Sequence, residues 1–200
     1  MEHYYTPNPT SKIVEHTFSQ VARNQQLSFV TASGLFSQTH IDTGSLLLID
    51  EGLIQPNWKI LDLGCGYGPV GIAFKRSEPT IHVTFADVNS RAIEYVKKNL
   101  KLNNLKANAT IELTSGDGFA TVTGLFDAIY LNPPQSAGKD LCFSLIEKSR
   151  EYLKNGGNLQ IVARKNKGGE SLSQQMQNVF GNVDAVSKRS GFWIYISYKK

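Results

Sequence analysis

From about residue 58 onward, short apolar runs alternate with longer stretches whose apolar residues recur every three or four positions. Segments 58–63 (WKILDL), 81–86 (IHVTFA), 109–113 (ATIEL), 126–131 (FDAIYL) and 158–163 (NLQIVA) are rich in Ile, Val, Leu and aromatics and predict strands. Between them, 90–104 predicts an amphipathic helix, with Ile93, Val96 and Leu100 on one side and Lys97, Lys98 and Lys101 on the other. Residues 141–157 predict a second helix, stopped by Gly156 and Gly157. Strands alternating with helices imply parallel β-α-β units and a doubly wound α/β sheet. The end of the chain breaks this rhythm. DAVSKR at 184–189 and the run beginning at Phe192 are separated only by Ser190-Gly191, so they predict an antiparallel pair that completes a seven-stranded, mostly parallel sheet.

Residues 1–57 follow another pattern. His16–Ala32 predicts a hairpin turning at Arg23–Gln26, and 42–54 predicts a helix capped by Asp42 or Thr43. The expectation is an N-terminal extension over 1–57 that covers the carboxyl edge of the sheet. With a core over 58–200 it forms a single domain. Forty per cent apolar content in 200 residues suffices for one such core and leaves no room for a second.

Composition narrows the function classes. The longest apolar run, Leu46–Ile49, is far too short to span a bilayer, and the opening MEHYYTPNP lacks the apolar core of a signal peptide. Cys65 and Cys142, with the scattered His3, His16, His40 and His82, provide neither a disulfide framework nor metal-ligand spacing. A soluble, cytoplasmic protein with no metal and no membrane partner is expected. The net charge of +4 leans weakly toward a polyanionic partner.

The candidate chemistry lies at the carboxyl ends of the predicted strands. KILDL runs into Gly64-Cys65-Gly66-Tyr67-Gly68-Pro69-Val70-Gly71, a turn where glycines let backbone approach a ligand closely. Gly66–Gly71 fits the G-x-G-x-x-G dinucleotide pattern, whereas the frame beginning at Asp62 places an acid before three glycines. Facing pyrophosphate, that acid has no use; facing the ammonium of S-adenosylmethionine, it has one. Asp87, followed by Val88, ends the next strand, where a carboxylate can accept both ribose hydroxyls. Asp117-Gly118-Phe119 follows the third strand. Last comes Asn132-Pro133-Pro134-Gln135, whose two prolines remove two backbone donors and hold carbonyl oxygens stiffly. If Asn132 and the Pro133 carbonyl each accept one N–H, an amide-like nitrogen is held with its lone pair facing a methyl group, and orientation rather than basicity drives transfer.

This order resembles the class I S-adenosylmethionine-dependent methyltransferases with an [N/D/S]-P-P-[aromatic] motif. The whole chain is similar to the small-domain family that includes the small-subunit ribosomal RNA guanine-N2 methyltransferases. The resemblance rests on Gly34–Ser37, Ile41–Leu48, ILDLGCGYGPVGIA and NPPQSAGK. It implies a Rossmann-like fold, S-adenosylmethionine as cofactor and ribosomal RNA as partner. Asp62, Gly64, Cys65, Gly66, Gly68, Asp87, Val88, Asp117, Gly118, Phe119 and Asn132 would bind the cofactor, and Asn132, Pro133 and Pro134 would carry catalysis. In the resemblance Asp117 accepts from the adenine amino group while Phe119 packs on the ring, and Phe36, Asp42, Gly44 and Ser45 border the site. The resemblance further implies the compact form, without the extra amino-terminal domain of some relatives. The chain departs from the motif at Gln135, where an aromatic usually stacks on the flipped base; Phe36, Phe192 or Trp193 would then supply the platform. Lys139, Arg164, Lys165 and Lys167 are candidates for holding phosphates, and Gln135 for contacting substrate. A protein glutamine N-methyltransferase, a dehydrogenase and a binding module without catalysis are the competing readings.

Overall fold

The computed structural model describes residues 12–106 and 110–200. His3, the opening MEHYYTPNP and the first residue of the strand expected over 109–113 lie outside them. The N-terminal segment forms β1 (Glu15–Ala22), β2 (Gln25–Ala32) and α1 (Thr43–Glu51). The sheet contains β3 (Lys59–Leu63), β4 (His82–Asp87), β5 (Ile111–Ser115), β6 (Phe126–Leu131), β7 (Leu153–Arg164), β8 (Asp184–Arg189) and β9 (Phe192–Tyr198). Its helices are α2 (Pro69–Ser77), α3 (Ser90–Leu102), α4 (Lys139–Tyr152) and α5 (Glu170–Phe180).

Seven strands run in the order β5-β4-β3-β6-β7-β9-β8, parallel through β7 and antiparallel across β7–β9 and β9–β8. The central strands are apolar on both faces, as a covered parallel sheet requires. Ile60, Val83, Phe85, Tyr130 and Ile194 point to the layer built from the hairpin and α1–α3. Leu61, Leu63, Ile129, Leu159 and Ile161 point to the layer of α4 and α5. From β3 the chain steps to β4 and β5, then crosses back to β6 on β3's other side. That reversal opens a crevice at the carboxyl ends of the strands, where ligands bind in open α/β sheets.

Three elements differ from the sequence-based expectation. The helix expected to reach Gly157 ends at Tyr152, and both glycines belong to an irregular stretch of β7. A Cβ on Gly157 would lie 3.0 Å from the carbonyl oxygens of Lys154 and Phe126, so close backbone packing, not helix termination, calls for glycine there. The hairpin turn is two residues, Arg23-Asn24, both at positive φ, the geometry whose twist matches its flanking strands. The hairpin itself packs on α2 and α3. Two asparagines one turn apart, Asn99 on α3 and Asn103 capping its C-terminus, clamp it: Asn99 Nδ2 donates to Val30 O and its Oδ1 accepts Val30 N–H, while Asn103 does the same with Ser28. What reaches the carboxyl edge is the connector after β2 and the start of α1.

Candidate active site

One cleft lies at the crevice, walled by Gly64–Tyr67 after β3, Asp87 and Val88 after β4, Gly116–Gly118 after β5 and Asn132–Pro134 after β6. Leu35, Phe36, Asp42 and Ser45 close it from the N-terminal segment, and Leu141 and Leu145 from α4. Gly64 and Gly66 line the cleft with φ of +67° and +56°, and a Cβ on either would meet no atom within 4 Å. Their backbone is therefore the surface a ligand meets.

Asp87 knits this wall together. Its Oδ2 accepts Gly66 N–H at 2.8 Å and its Oδ1 accepts Asn89 N–H at 2.8 Å. Each oxygen keeps a further lone pair for a ligand. Burial, partly offset by these two bonds, raises its pKa above the ordinary carboxylate value. Asp117 is exposed on the cleft rim beside Gly118.

Asp62 is placed differently from the expectation. Its side chain is not part of the cleft wall; Oδ2 accepts Gly71 N–H at 2.9 Å, at the start of α2. Only 4% exposed, it has a pKa pushed up to about 7 by burial, with the Gly71 bond opposing and Asp87 adding to the rise. Through Oδ2 it fixes the glycine turn from behind. Gly71 is there because a Cβ would approach the Phe85 ring to 2.4 Å, and Gly68 likewise faces Val96 and Ile72. The second and third glycines of the dinucleotide frame thus serve helix packing, and Gly68 does not line the cleft. Phe119 is also absent from the wall: it is buried beneath α4 with its ring stacked on Tyr152, centroids 4.5 Å apart. Cys65 lines the cleft, but burial and the two nearby carboxylates raise its pKa well above normal, so the thiol stays neutral.

The corner after β6 is held by the N-terminal segment. Asn132 Nδ2 donates to Asp42 Oδ1 at 3.2 Å and to Ser45 Oγ at 3.0 Å. The same Asp42 Oδ1 caps α1 by accepting the N–H groups of Gly44 and Ser45. A carboxylate oxygen is acceptor-only, so it dictates which end of the Asn132 amide faces it. The Asn132 carbonyl oxygen is left to the cleft. The Pro133 carbonyl accepts Gln135 N–H at 2.8 Å and keeps one lone pair. This corner can therefore accept hydrogen bonds from a polar N–H group while donating none in return.

The sequence profile of the methyltransferase small domain matches residues 26–196. The chain belongs to the methyltransferase small-domain family. Its activity class, methyl transfer, and its methyl donor, S-adenosylmethionine, follow from that membership. Among similar proteins, the uncharacterized protein YbxB of Bacillus subtilis is 37% identical over 96% of both chains. Ribosomal RNA small subunit methyltransferase C of Shewanella amazonensis is 32% identical over 84% of this chain and 48% of that protein. The chain spans about half the length of the curated ribosomal RNA methyltransferases it matches. A Thermus thermophilus 16S rRNA N2 G1207 methyltransferase, solved with AdoMet and guanosine, superposes with a TM-score of 0.81 at 23% identity. The match covers 96% of this chain and 52% of that one, and shows a shared fold. The dehydrogenase reading of Gly66–Gly71 is thereby replaced.

Of the remaining residues singled out from the sequence, Phe36 lines the mouth of this cleft, and Gln135, Lys139, Arg164 and Lys165 lie around it. Gln135 Nε2 donates to Lys167 O at 2.8 Å, tying the turn after the prolines to the turn at 165–169. Arg164 lies over the Phe192 ring at 4.6 Å, Lys165 over Trp193 at 4.9 Å, and Lys139 over Phe143 at 4.9 Å. Phe36 is the exposed aromatic at the mouth, 45% accessible. Its connector is anchored by Asn89 Nδ2 donating to Gly34 O and Arg91 Nη1 donating to Ser33 O. Sequence reasoning gave no role to Asn89, Asn99 or Tyr67. Tyr67 lines the cleft while packing edge-on against Phe18 and Phe29 of the hairpin, so the hairpin buttresses the glycine turn. Among the described residues no cluster suited to a metal ion occurs, and none of their helices is long and apolar enough to cross a membrane.

Proposed function

We propose that this chain transfers a methyl group from S-adenosylmethionine to the exocyclic N2 amine of a guanine in small-subunit ribosomal RNA. The observation that carries the acceptor assignment is the fixed orientation of Asn132, whose amide nitrogen is engaged by Asp42 and Ser45 and whose oxygen is left to the cleft. The relatives named as ribosomal RNA methyltransferases support RNA as the substrate.

Bound in the cleft, S-adenosylmethionine supplies an electrophilic methyl on a sulfonium. The donor set fits this group: backbone at Gly64 and Gly66 with no Cβ in the way, Asp87 for the ribose hydroxyls, and Asp117 for the adenine amino group. On the acceptor side, Asn132 Oδ1 and the Pro133 carbonyl accept the two N2 hydrogens. The nitrogen is thereby held with its delocalised lone pair toward the methyl. With the donor bound, its S–C bonding pair would stay on sulfur as a neutral thioether while the amine takes the methyl, and one N2 proton would leave to water. The chain contributes alignment and dipoles aimed at the charge developing on nitrogen. Phe36 at the mouth takes the stacking role that Gln135 cannot fill, and Lys139, Arg164, Lys165 and Lys167 hold flanking phosphates.

Incubating the protein with radiolabelled methyl donor and, separately, small-subunit ribosomal RNA or ribosomal protein tests this reading. Label mapping to a guanine N2 is the expected result. Label in protein alone would replace it with glutamine amide methylation, the other acceptor that an Asn-Pro-Pro corner can hold.

A further inference from the structure

We infer that Asp42 is a specificity-determining residue, its second carboxylate oxygen accepting the ring N1–H that stands beside the amine on guanine. This rests on the guanine-N2 reading above and deepens it. Asp42 lines the cleft and is half-buried. Its Oδ1 is occupied by three donors, Gly44 N–H, Ser45 N–H and Asn132 Nδ2–H. Its Oδ2 has no hydrogen-bond partner among the described residues, and it belongs to the same carboxylate that touches the residue holding the amine.

Chemistry decides what such an oxygen selects. A carboxylate accepts and never donates. Guanine carries N1–H next to N2–H₂, two parallel donors, and the proposal sets them on the unengaged oxygens of two side chains that are hydrogen-bonded to each other, Asp42 and Asn132. The adenine and cytosine amines each stand beside a ring nitrogen with a lone pair, and a glutamine amide stands beside its own carbonyl. Each of those would set an acceptor against the Asp42 charge. A buried polar group left without a partner rejects the wrong substrate far more strongly than a missing apolar contact does.

Asp42→Asn isolates this role. Asparagine caps helices as well as aspartate, and the three donors around Oδ1 hold its oxygen where Oδ1 stands. The amide NH₂ then replaces Oδ2 and offers a donor where there was an acceptor. The probe is a short RNA spanning the guanine methylated by the wild type, with guanine or 2-aminopurine at the target; 2-aminopurine keeps the amine but has a lone pair at N1. Wild type is expected to favour guanine in kcat/KM by about 100-fold. In Asp42→Asn that preference should vanish or invert, with 2-aminopurine turnover rising. Ser45→Ala, which only loosens Asn132, should slow both RNAs by a similar factor and leave the ratio alone. Guanine turnover with an unchanged ratio in Asp42→Asn overturns the assignment while leaving the guanine reading intact. If Asp42→Asn fails to fold, equal wild-type turnover of the two RNAs overturns the assignment. Methylation of protein and of no RNA overturns both.

Discussion

The two halves of the cleft are built by different means. On the donor side, Asp87 at the end of β4 accepts Gly66 N–H from the turn after the neighbouring β3, and Asp62 of β3 accepts Gly71 N–H from the helix that follows that turn. Neighbouring strand ends and one β-α turn place these groups. On the acceptor side, Asn132 is oriented by Asp42 and Ser45, which arrive from the far end of the chain on a separate helix. The glycine turn is positioned mainly by the sheet, with the hairpin buttressing Tyr67 from behind, whereas Asn132 is oriented directly by side chains of the N-terminal segment. The two should separate under mutation.

Asn132→Ala breaks that comparison most sharply. It removes the acceptor proposed to hold the reacting nitrogen, and on that reading kcat should fall about 100- to 1000-fold. Donor affinity by calorimetry should stay within a few-fold, since the Gly64–Gly66 and Asp87 wall is untouched. The complementary change, Asp87→Ala, removes the carboxylate that orders the glycine turn and that we propose receives the ribose hydroxyls. S-adenosylmethionine should bind about 10- to 100-fold more weakly, whereas the Asn132 corner keeps its bonds.

Asp62 sharpens the donor side through pH. Its folded pKa, pushed up to about 7, lies above the ordinary 3.8. The stability contributed by holding its proton is fully present below about 3.8 and is lost as pH rises through about 7. Asp62→Asn stays neutral throughout and its side-chain oxygen can still accept Gly71 N–H. In the donor-free protein the unfolding free energy of Asp62→Asn relative to wild type should therefore be more favourable at pH 8 than at pH 5, by up to a few kcal/mol at about 1.4 kcal/mol per pKa unit. An unchanged difference would show that Asp62 titrates normally and is not desolvated behind the turn. Smallest of all, Gln135→Ala removes one bond to Lys167 O from a partly exposed turn, and steady-state methyl transfer should change by about two-fold or less.

Much of the donor half was legible in the sequence because order along the chain translates into order along the sheet. Asp87, Asp117 and Asn132 follow successive strands, and in a parallel sheet those ends converge. What failed was the side of each turn on which a group lies. Asp62 and Gly71 face each other behind the loop, Phe119 turns under α4 onto Tyr152, and Gln135 turns toward Lys167. A one-residue change of facing is invisible to composition. The asparagine clamps of α3 were unreadable because their partners, Ser28 and Val30, are remote in sequence. By contrast α5 carried a readable signal, Leu172, Met176 and Phe180 at four-residue spacing on its buried side. The helical overrun to Gly157 shows the converse: glycine pairs mark close backbone approach as readily as helix ends.

The central claim is that one cleft holds the methyl donor with its sulfur beside the Asn132 oxygen. A crystal structure with S-adenosylhomocysteine tests it most directly. The account predicts ribose hydroxyls on Asp87, adenine against Asp117 and Gly118, and the sulfur facing Asn132 and Pro133. A nucleoside seated away from the Gly64–Gly66 turn, or a sulfur turned from Asn132, would contradict it.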